Sequence, residues 1–166
     1  MAGLTPLPSS LGFRHPAALA ATWFGSGLLR PAPGTWGTIA AYPFAIAIHF
    51  AGGPIALLAA AALSFGIGVG ASEIYCRAAG KDDASEVVSD EVTAIWIVLA
   101  ALPATPGAWL GAFLLFRLFD ILKPWPVRAI ERRFKGGFGV MIDDIFAALL
   151  AVISWHVLNS LWMILA

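Results

Sequence analysis

Apolar residues in this chain come in long unbroken runs and do not alternate with polar ones. Two runs, 38–51 and 55–72, are split by Gly52-Gly53-Pro54. Two more, about 85–102 and 107–122, flank "LPATPG", and a last run fills 143–166. Runs too long for strands and broken by Gly and Pro predict helices joined by tight turns. The expected architecture is therefore all-α: a multi-pass helical membrane protein with two helical hairpins and a C-terminal spanning helix. The final run is long enough to cross a hydrocarbon core of about 30 Å, whereas 38–51 gives only about 21 Å at 1.5 Å per residue. That first run is expected to tilt little, to kink at Pro43, or to cross incompletely.

Other segments are less regular. Residues 1–16, with Pro6, Pro8 and Pro16, predict a flexible N-terminus, and 17–166 a single helical membrane domain. "MAGLTPLPSS" lacks the charged start and apolar centre of a signal peptide, so the N-terminus is expected to be retained and cytoplasmic. "AALAATWFGSGLLR" (17–30) reads as a short interfacial or re-entrant segment. "PAPGTWGT" (31–38) reads as a turn in which Thr35 or Thr38 caps the next helix. Gly66 and Gly70 have the small-xxx-small spacing of close helix contacts. No internal repeat is evident.

Composition strengthens the membrane reading. Of 166 residues, 60% are hydrophobic and 12% charged, against about 45–50% and about 25% in a soluble domain. Net charge is zero, which gives no footprint for nucleic acid. The lone Cys76 excludes an internal disulfide framework.

The hairpins also fix which parts of the chain share a side. Each returns the chain to the face it left, so 30–37, 73–91 and 120–142 lie together. All ten Lys and Arg residues belong to that face, with Lys123, Arg128, Arg132, Arg133 and Lys135 in one stretch. The distant tips carry no charge. The positive-inside rule makes the charged face cytoplasmic.

Acidic residues share that face, and five enter apolar helices: Asp90, Glu91, Asp120, Asp143 and Asp144. At the centre of a spanning helix each would cost about 2.5–3.5 kcal/mol. A lone Asp at a helix start is commonly an N-cap, but two adjacent pairs fit that role poorly. Hard divalent cations take oxygen ligands, and Mg²⁺ uses one or two carboxylates while leaving room for phosphate. By contrast, "KDDASE" (81–86) reads as a solvated turn. Arg117, Asp120 and Lys123 recur at i, i+3 and i+6, so they fall on one side of a helix that Pro124 and Pro126 end. Such a row suits a phosphate beside a metal, or a snorkelling ion pair. "PGTWGT" and "KGGFG" offer backbone N–H groups for an anion. Arg128, Arg132, Arg133 and Lys135 suit anionic head groups.

Other chemistries lack their residues. Cys76 has no phosphatase-loop arginine after it, no Asp-x-Asp motif occurs, and His15, His49 and His156 sit in apolar or terminal surroundings. Water activated by a metal remains.

Four stretches together resemble the phosphatidylglycerophosphatase A family: "RPAPGTWGT" (30–38), "VVSDEVTAIWI" (87–97), "FRLFDILKPWPV" (116–127) and "GGFGVMIDDIFAALLA" (136–151). The resemblance runs from about 20 to 155, with little signal in 39–85. Ser89 departs from it, standing where an apolar residue is expected. The resemblance implies a Mg²⁺-dependent phosphatase of the inner membrane, facing the cytoplasm. Its substrate would be phosphatidylglycerophosphate, a phospholipid that stays in the bilayer while its terminal phosphate is removed. It implies that Asp90, Glu91, Asp143 and Asp144 are metal ligands or the base, with Asp144 favoured as base. Arg117, Asp120 and Lys123 would bind and orient phosphate, Lys123 and Asp120 counting as catalytic, with Thr35 and Arg30 on the substrate side. Two rivals share the acids. One is a Mg²⁺-dependent lipid phosphotransferase, whose long motif beginning "DG" is absent. The other is a small cation transporter subunit, which would want its acids near mid-membrane.

Overall fold

The structure is a computed structural model that describes residues 3–125, 127–128 and 133–165. Pro126 and Arg132, named above as a helix stop and a head-group contact, lie outside the described residues. Among the described residues the chain forms helices α1 (Pro16–Ala21), α2 (Pro33–Ala79), α3 (Ser89–Ala101), α4 (Pro106–Leu122) and α5 (Gly136–Leu165). Two-residue strands β1 (Gly3–Leu4) and β2 (Leu29–Arg30) are the sheet present.

The first hairpin lies inside α2, which turns at Gly53, where φ is 69° and ψ −164°. Glycine adopts this conformation without the steric penalty other residues meet. The fold-back is visible in the packing. A Cβ on Gly37 would meet Val88, and one on Gly68 would lie 3.4 Å from the Ser89 Cβ. In a straight helix those glycines would stand roughly 46 Å apart; here both reach the start of α3. Pro43 leaves the backbone helical, since Gly53 alone departs from helical angles within α2. Close approach falls on Gly68, against Met141 and Ser89, while Gly66 and Gly70 have nothing within 4 Å. The small-xxx-small reading is thus off by half a turn.

Helix boundaries also shift from those expected. The stretch "PGTWGT" is helix, not turn. Pro33 opens α2, Ala32 is its N-cap with no side-chain bond, and Thr38 Oγ1 donates back to the Gly34 carbonyl at 2.7 Å. Pro suits a first helical position because its missing N–H is not needed there. The limb from Pro33 to the Gly53 turn therefore reaches about 30 Å at 1.5 Å per residue, enough for a bilayer core. Likewise α5 begins at Gly136, seven residues before Asp143.

The second hairpin joins α3 and α4. Thr105 Oγ1 accepts from Ala108 N at 3.3 Å and caps α4, with Pro106 next. α3 lies at the centre: Val92, Ala94, Ile95, Val98 and Leu99 are wholly buried against α2, α4 and α5. Being apolar all round, it must be covered on every side. Polar ties lock it to α2. Trp96 Nε1 donates to the Ala41 carbonyl at 3.1 Å, Thr93 Oγ1 lies 2.9 Å from Ser64 Oγ, and Ser89 Oγ lies 3.2 Å from Ser72 Oγ. Ser89, unexpected in the motif, thus has a hydroxyl partner.

Outer faces are strongly apolar. Leu63 is 66% exposed, Leu114 59%, Ile153 59% and Trp162 70%. Soluble monomers do not expose continuous apolar surface of this kind. Two helices, α2 and α5, are long and apolar enough to cross a membrane, and the protein is membrane-associated.

The N-terminal segment, expected to be loose, is tied down. β1 pairs antiparallel with β2, Gly3 opposite Arg30. Thr5 N donates to the Leu28 carbonyl at 2.8 Å, and Leu11 is buried. His15 Nδ1 caps α1 by accepting from Ala17 N at 3.2 Å.

Candidate active site

Acids in a first turn face the positive end of the helix dipole, and Asp90 and Glu91 occupy that turn of α3. The preceding loop is fixed by Val88 N, which donates to the Ala21 carbonyl at 2.7 Å. Asp143 and Asp144 arrive differently. They lie two turns inside α5, so neither is an N-cap, and both are buried. Buried acids in a helix interior need a compensating charge. α4 supplies cations at its end. Its last turn closes on Lys123, which takes a left-handed conformation at φ 42°, uncommon for a side-chain-bearing residue.

These elements enclose a polar cavity of about 230 Å³. It is lined by Gly34 from α2, Asp83 and Ser85 from the loop, Asp90 and Glu91 from α3, Arg117, Asp120 and Lys123 from α4, and Asp143 and Asp144 from α5. The face-sharing expected of the hairpins is thus realised at one end of the bundle. The five helix carboxylates face two cations, a formal excess of three negative charges.

Within the cavity the acids divide into two groups. Asp90, Glu91 and Asp144 each offer an oxygen, and these oxygens all lie within 4.8 Å of one another. Asp90 Oδ1, Glu91 Oε2 and Asp144 Oδ2 are buried with no hydrogen-bond partner. Orphaned buried polar atoms are rare and call for an explanation. Three carboxylate oxygens converging from two helices form a donor set that suits a hard divalent cation. Asp143, expected to share that role, is placed differently: its Oδ2 accepts from Lys123 Nζ at 2.9 Å, and its Oδ1 accepts from Asp144 N at 3.1 Å.

The row on α4 is brought together as its spacing predicts. Arg117 Nη1 is ion-paired with Asp120 and reaches Glu91 Oε1 at 3.5 Å across to α3. Arg117 and Asp120 are both largely buried, so the pair is shielded from water.

Thr35 and Arg30 do not line the cavity. Arg30 is exposed, and its Nε donates to Thr5 Oγ1 at 2.7 Å. Three features escaped the sequence reading. "KDDASE" is solvated only in part: Lys81, Asp82, Asp83 and Ser85 are exposed, but Glu86 is buried, 3.6 Å from Lys81, and Asp83 and Ser85 form a wall of the site. Composition gave no sign of this. Gly34 was the second, and its signal was present in "PGT". A Cβ there would collide with the Glu91 carboxylate and come within 2.9 Å of Arg117 Nη1. The third is Glu73, whose Oε2 accepts from Gly137 N at 2.7 Å and so steadies the start of α5.

Comparison with known proteins identifies the family. The family model for Phosphatidylglycerophosphatase A matches residues 19–159. A Haemophilus influenzae protein named Phosphatidylglycerophosphatase A is 43% identical over 140 residues, covering 84% of this chain and 86% of the relative. The Escherichia coli protein of the same name is 37% identical over 155 residues, covering 93% and 90%. A Bacteroides thetaiotaomicron protein named Putative phosphatidylinositol-3-phosphatase is 42% identical over 149 residues, covering 82% and 92%. No solved structure matches the chain.

Proposed function

Since this chain belongs to the phosphatidylglycerophosphatase A family, we propose that it hydrolyses the terminal phosphomonoester of phosphatidylglycerophosphate. The products are phosphatidylglycerol and inorganic phosphate, in phospholipid biosynthesis. The observation that carries the chemistry is the trio of buried, unpartnered oxygens on Asp90, Glu91 and Asp144.

In this reading the trio holds Mg²⁺. When bound, the ion supplies charge neutralisation for phosphoryl oxygens and acidifies water. Asp144 accepts a proton from the attacking water, as its burial beside the cavity allows. Water oxygen bonds to phosphorus as the bond to the lipid oxygen breaks; the departing lipid oxygen takes a proton from solvent and leaves as an alcohol, and Asp144 returns the proton it took to solvent. Arg117 and Lys123 offer donors to the phosphoryl oxygens, where charge grows in the transition state. Asp120 and Asp143 hold those two cations in place and limit their search for a geometry. In this reading this end of the bundle faces the cytoplasm at the inner membrane, a topology that the distribution of Lys and Arg supports.

The test is phosphate release from purified protein in mixed micelles against a panel of phospholipid monoesters, with Mg²⁺ or with EDTA. Release from phosphatidylglycerophosphate that stops with EDTA and returns with Mg²⁺ is expected. Equal release in EDTA would reject the metal, and none from any lipid would reject the activity.

A further inference from the structure

Three successive residues between α1 and β2 take left-handed backbone angles: Trp23 (φ 44°), Phe24 (φ 57°) and Gly25 (φ 93°). Glycine does so freely, but a bulky side chain rarely does, and such strain persists only where the surroundings enforce it. The turn throws Phe24 outward, where it is 58% exposed. Its ring stacks at 5.9 Å on that of Phe44, itself exposed on the first limb of α2. Trp23 points the other way. Its Nε1 donates to the Ala40 carbonyl at 3.3 Å, and its ring meets Trp96 edge-on at 5.4 Å. We propose that residues 16–30 form a loop that dips into the leaflet on the charged side of the bundle, inserting Phe24, with Phe13 beside it, among the acyl chains there.

The neighbours of the two aromatic rings fix how deep they reach. Pro33 and Gly34 line the acidic cavity, so the start of α2 stands at the polar end of the bundle. Ala40 lies about 10 Å below that start and Phe44 about 16 Å below it, at 1.5 Å per residue. Both depths suit one leaflet of a hydrocarbon core of about 30 Å. Phe24 on Phe44 therefore continues the apolar surface that α2 turns to lipid, and Phe13, whose ring lies against Gly25, extends it. The backbone is closed as well. Every N–H from Thr22 to Leu28 donates to a carbonyl between Ala18 and Gly25. The hydroxyls follow suit: Thr22 Oγ1 donates to the Ala18 carbonyl at 2.7 Å, and Ser26 Oγ to that of Trp23 at 3.0 Å. A loop in water needs no such closure, whereas irregular backbone away from water does. At the two ends of the segment Arg14 and Arg30 are exposed, cations suited to anionic head groups at the surface. The dip is also braced against the site. Val88 N, which donates to the Ala21 carbonyl, and the Glu86 carbonyl, on which Gly27 packs, both belong to the loop that enters α3.

The test is spin labelling of the full chain in phosphatidylcholine–phosphatidylglycerol vesicles. Cys76 is the one cysteine and is buried, so Cys76→Ala gives a background for single labels at Phe24→Cys, at Leu63→Cys on the lipid-facing side of α2, and at Asp82→Cys in the exposed loop. Collision with oxygen, which enters hydrocarbon, is compared with collision with a water-soluble nickel chelate. The oxygen-to-nickel ratio at 24 is expected to match that at 63 and to exceed that at 82 by about tenfold, the contrast between hydrocarbon and water. A ratio at 24 equal to that at 82 would overturn the proposal, because the loop would then stand in water. Photolabelling keeps the question open to test in the unmodified protein. A phosphatidylcholine carrying a diazirine part-way along one acyl chain should mark residues 23–25. Adducts on α2 and α5 with none between 13 and 30 would mean that water or a second copy of the chain covers the segment, and would overturn the assignment.

Discussion

Gly34→Ala inserts one methyl group where the structure has no room for it. The added Cβ would overlap the Glu91 Oε1 position, lie 3.0 Å from Glu91 Cδ and 2.9 Å from Arg117 Nη1. Backbone is not in the way, so the fold can absorb the change by swinging the Glu91 carboxylate aside. That movement is about 1 Å, a misplacement that costs about 100-fold in a positioned active site. A hundredfold loss corresponds to about 2.7 kcal/mol on the barrier. Stability should not fall with it, because Ala is a better helix residue than Gly by up to about 1 kcal/mol. The assay is phosphate release at saturating Mg²⁺ beside thermal unfolding in the same detergent, with Gly66→Ala as control, since nothing lies within 4 Å of that position. Wild-type kcat/KM in Gly34→Ala would refute the reasoning that Glu91 acts from the position seen here. Loss of activity with an equal loss in Gly66→Ala would refute it too.

Further outcomes follow from the same contacts. Gly137→Ala would push a Cβ to 2.8 Å from Glu73 N and onto the Val69 carbonyl; both are backbone, so unfolding in detergent should show a loss of about 1–3 kcal/mol or more. Ser89→Ala removes the hydroxyl 3.2 Å from Ser72. Thermal melts should register about 0.6 kcal/mol, the usual worth of a hydrogen bond between membrane helices. Lys123→Met removes the ammonium 2.9 Å from Asp143; kcat should drop on the order of 10²–10³, the cost of losing a donor to developing charge. A fall confined to KM would instead make Lys123 a binding residue.

Much of the architecture was legible because lipid-facing helices must be apolar throughout and must turn at Gly or Pro. The Gly52-Gly53-Pro54 break and the "LPATPG" turn are such points, and both are turns in the structure. Where the reading slipped, the cause was local. "PGTWGT" carries turn-like composition, yet Pro at a first helical position is favourable, so α2 starts there. Gly66 and Gly70 had the expected spacing, but spacing does not say which face of a helix meets a neighbour; Gly68 does. The charged face was legible from sidedness alone. That Asp143 turns to Lys123 while Asp144 turns to Asp90 and Glu91 was not, since adjacent residues on a helix diverge by about 100° and only tertiary packing selects which points inward. The loop of Asp83 to Glu86 was illegible for the opposite reason. Its composition is that of solvated turns, and Asp83 and Ser85 are exposed; the burial of Ala84 and Glu86 comes from α1 and the turn at Gly27, against which the Glu86 carbonyl packs.

The central claim is that Asp90, Glu91 and Asp144 converge because together they bind a divalent cation. The direct measurement is Mn²⁺ binding to the purified protein without substrate, followed by electron paramagnetic resonance, in wild type and in Asp90→Asn and Asp144→Asn. The account predicts saturable binding that competes with Mg²⁺ and weakens at least about tenfold in each variant, as expected for loss of a charged oxygen ligand. Binding of equal strength in all three proteins, or none in wild type, would contradict it.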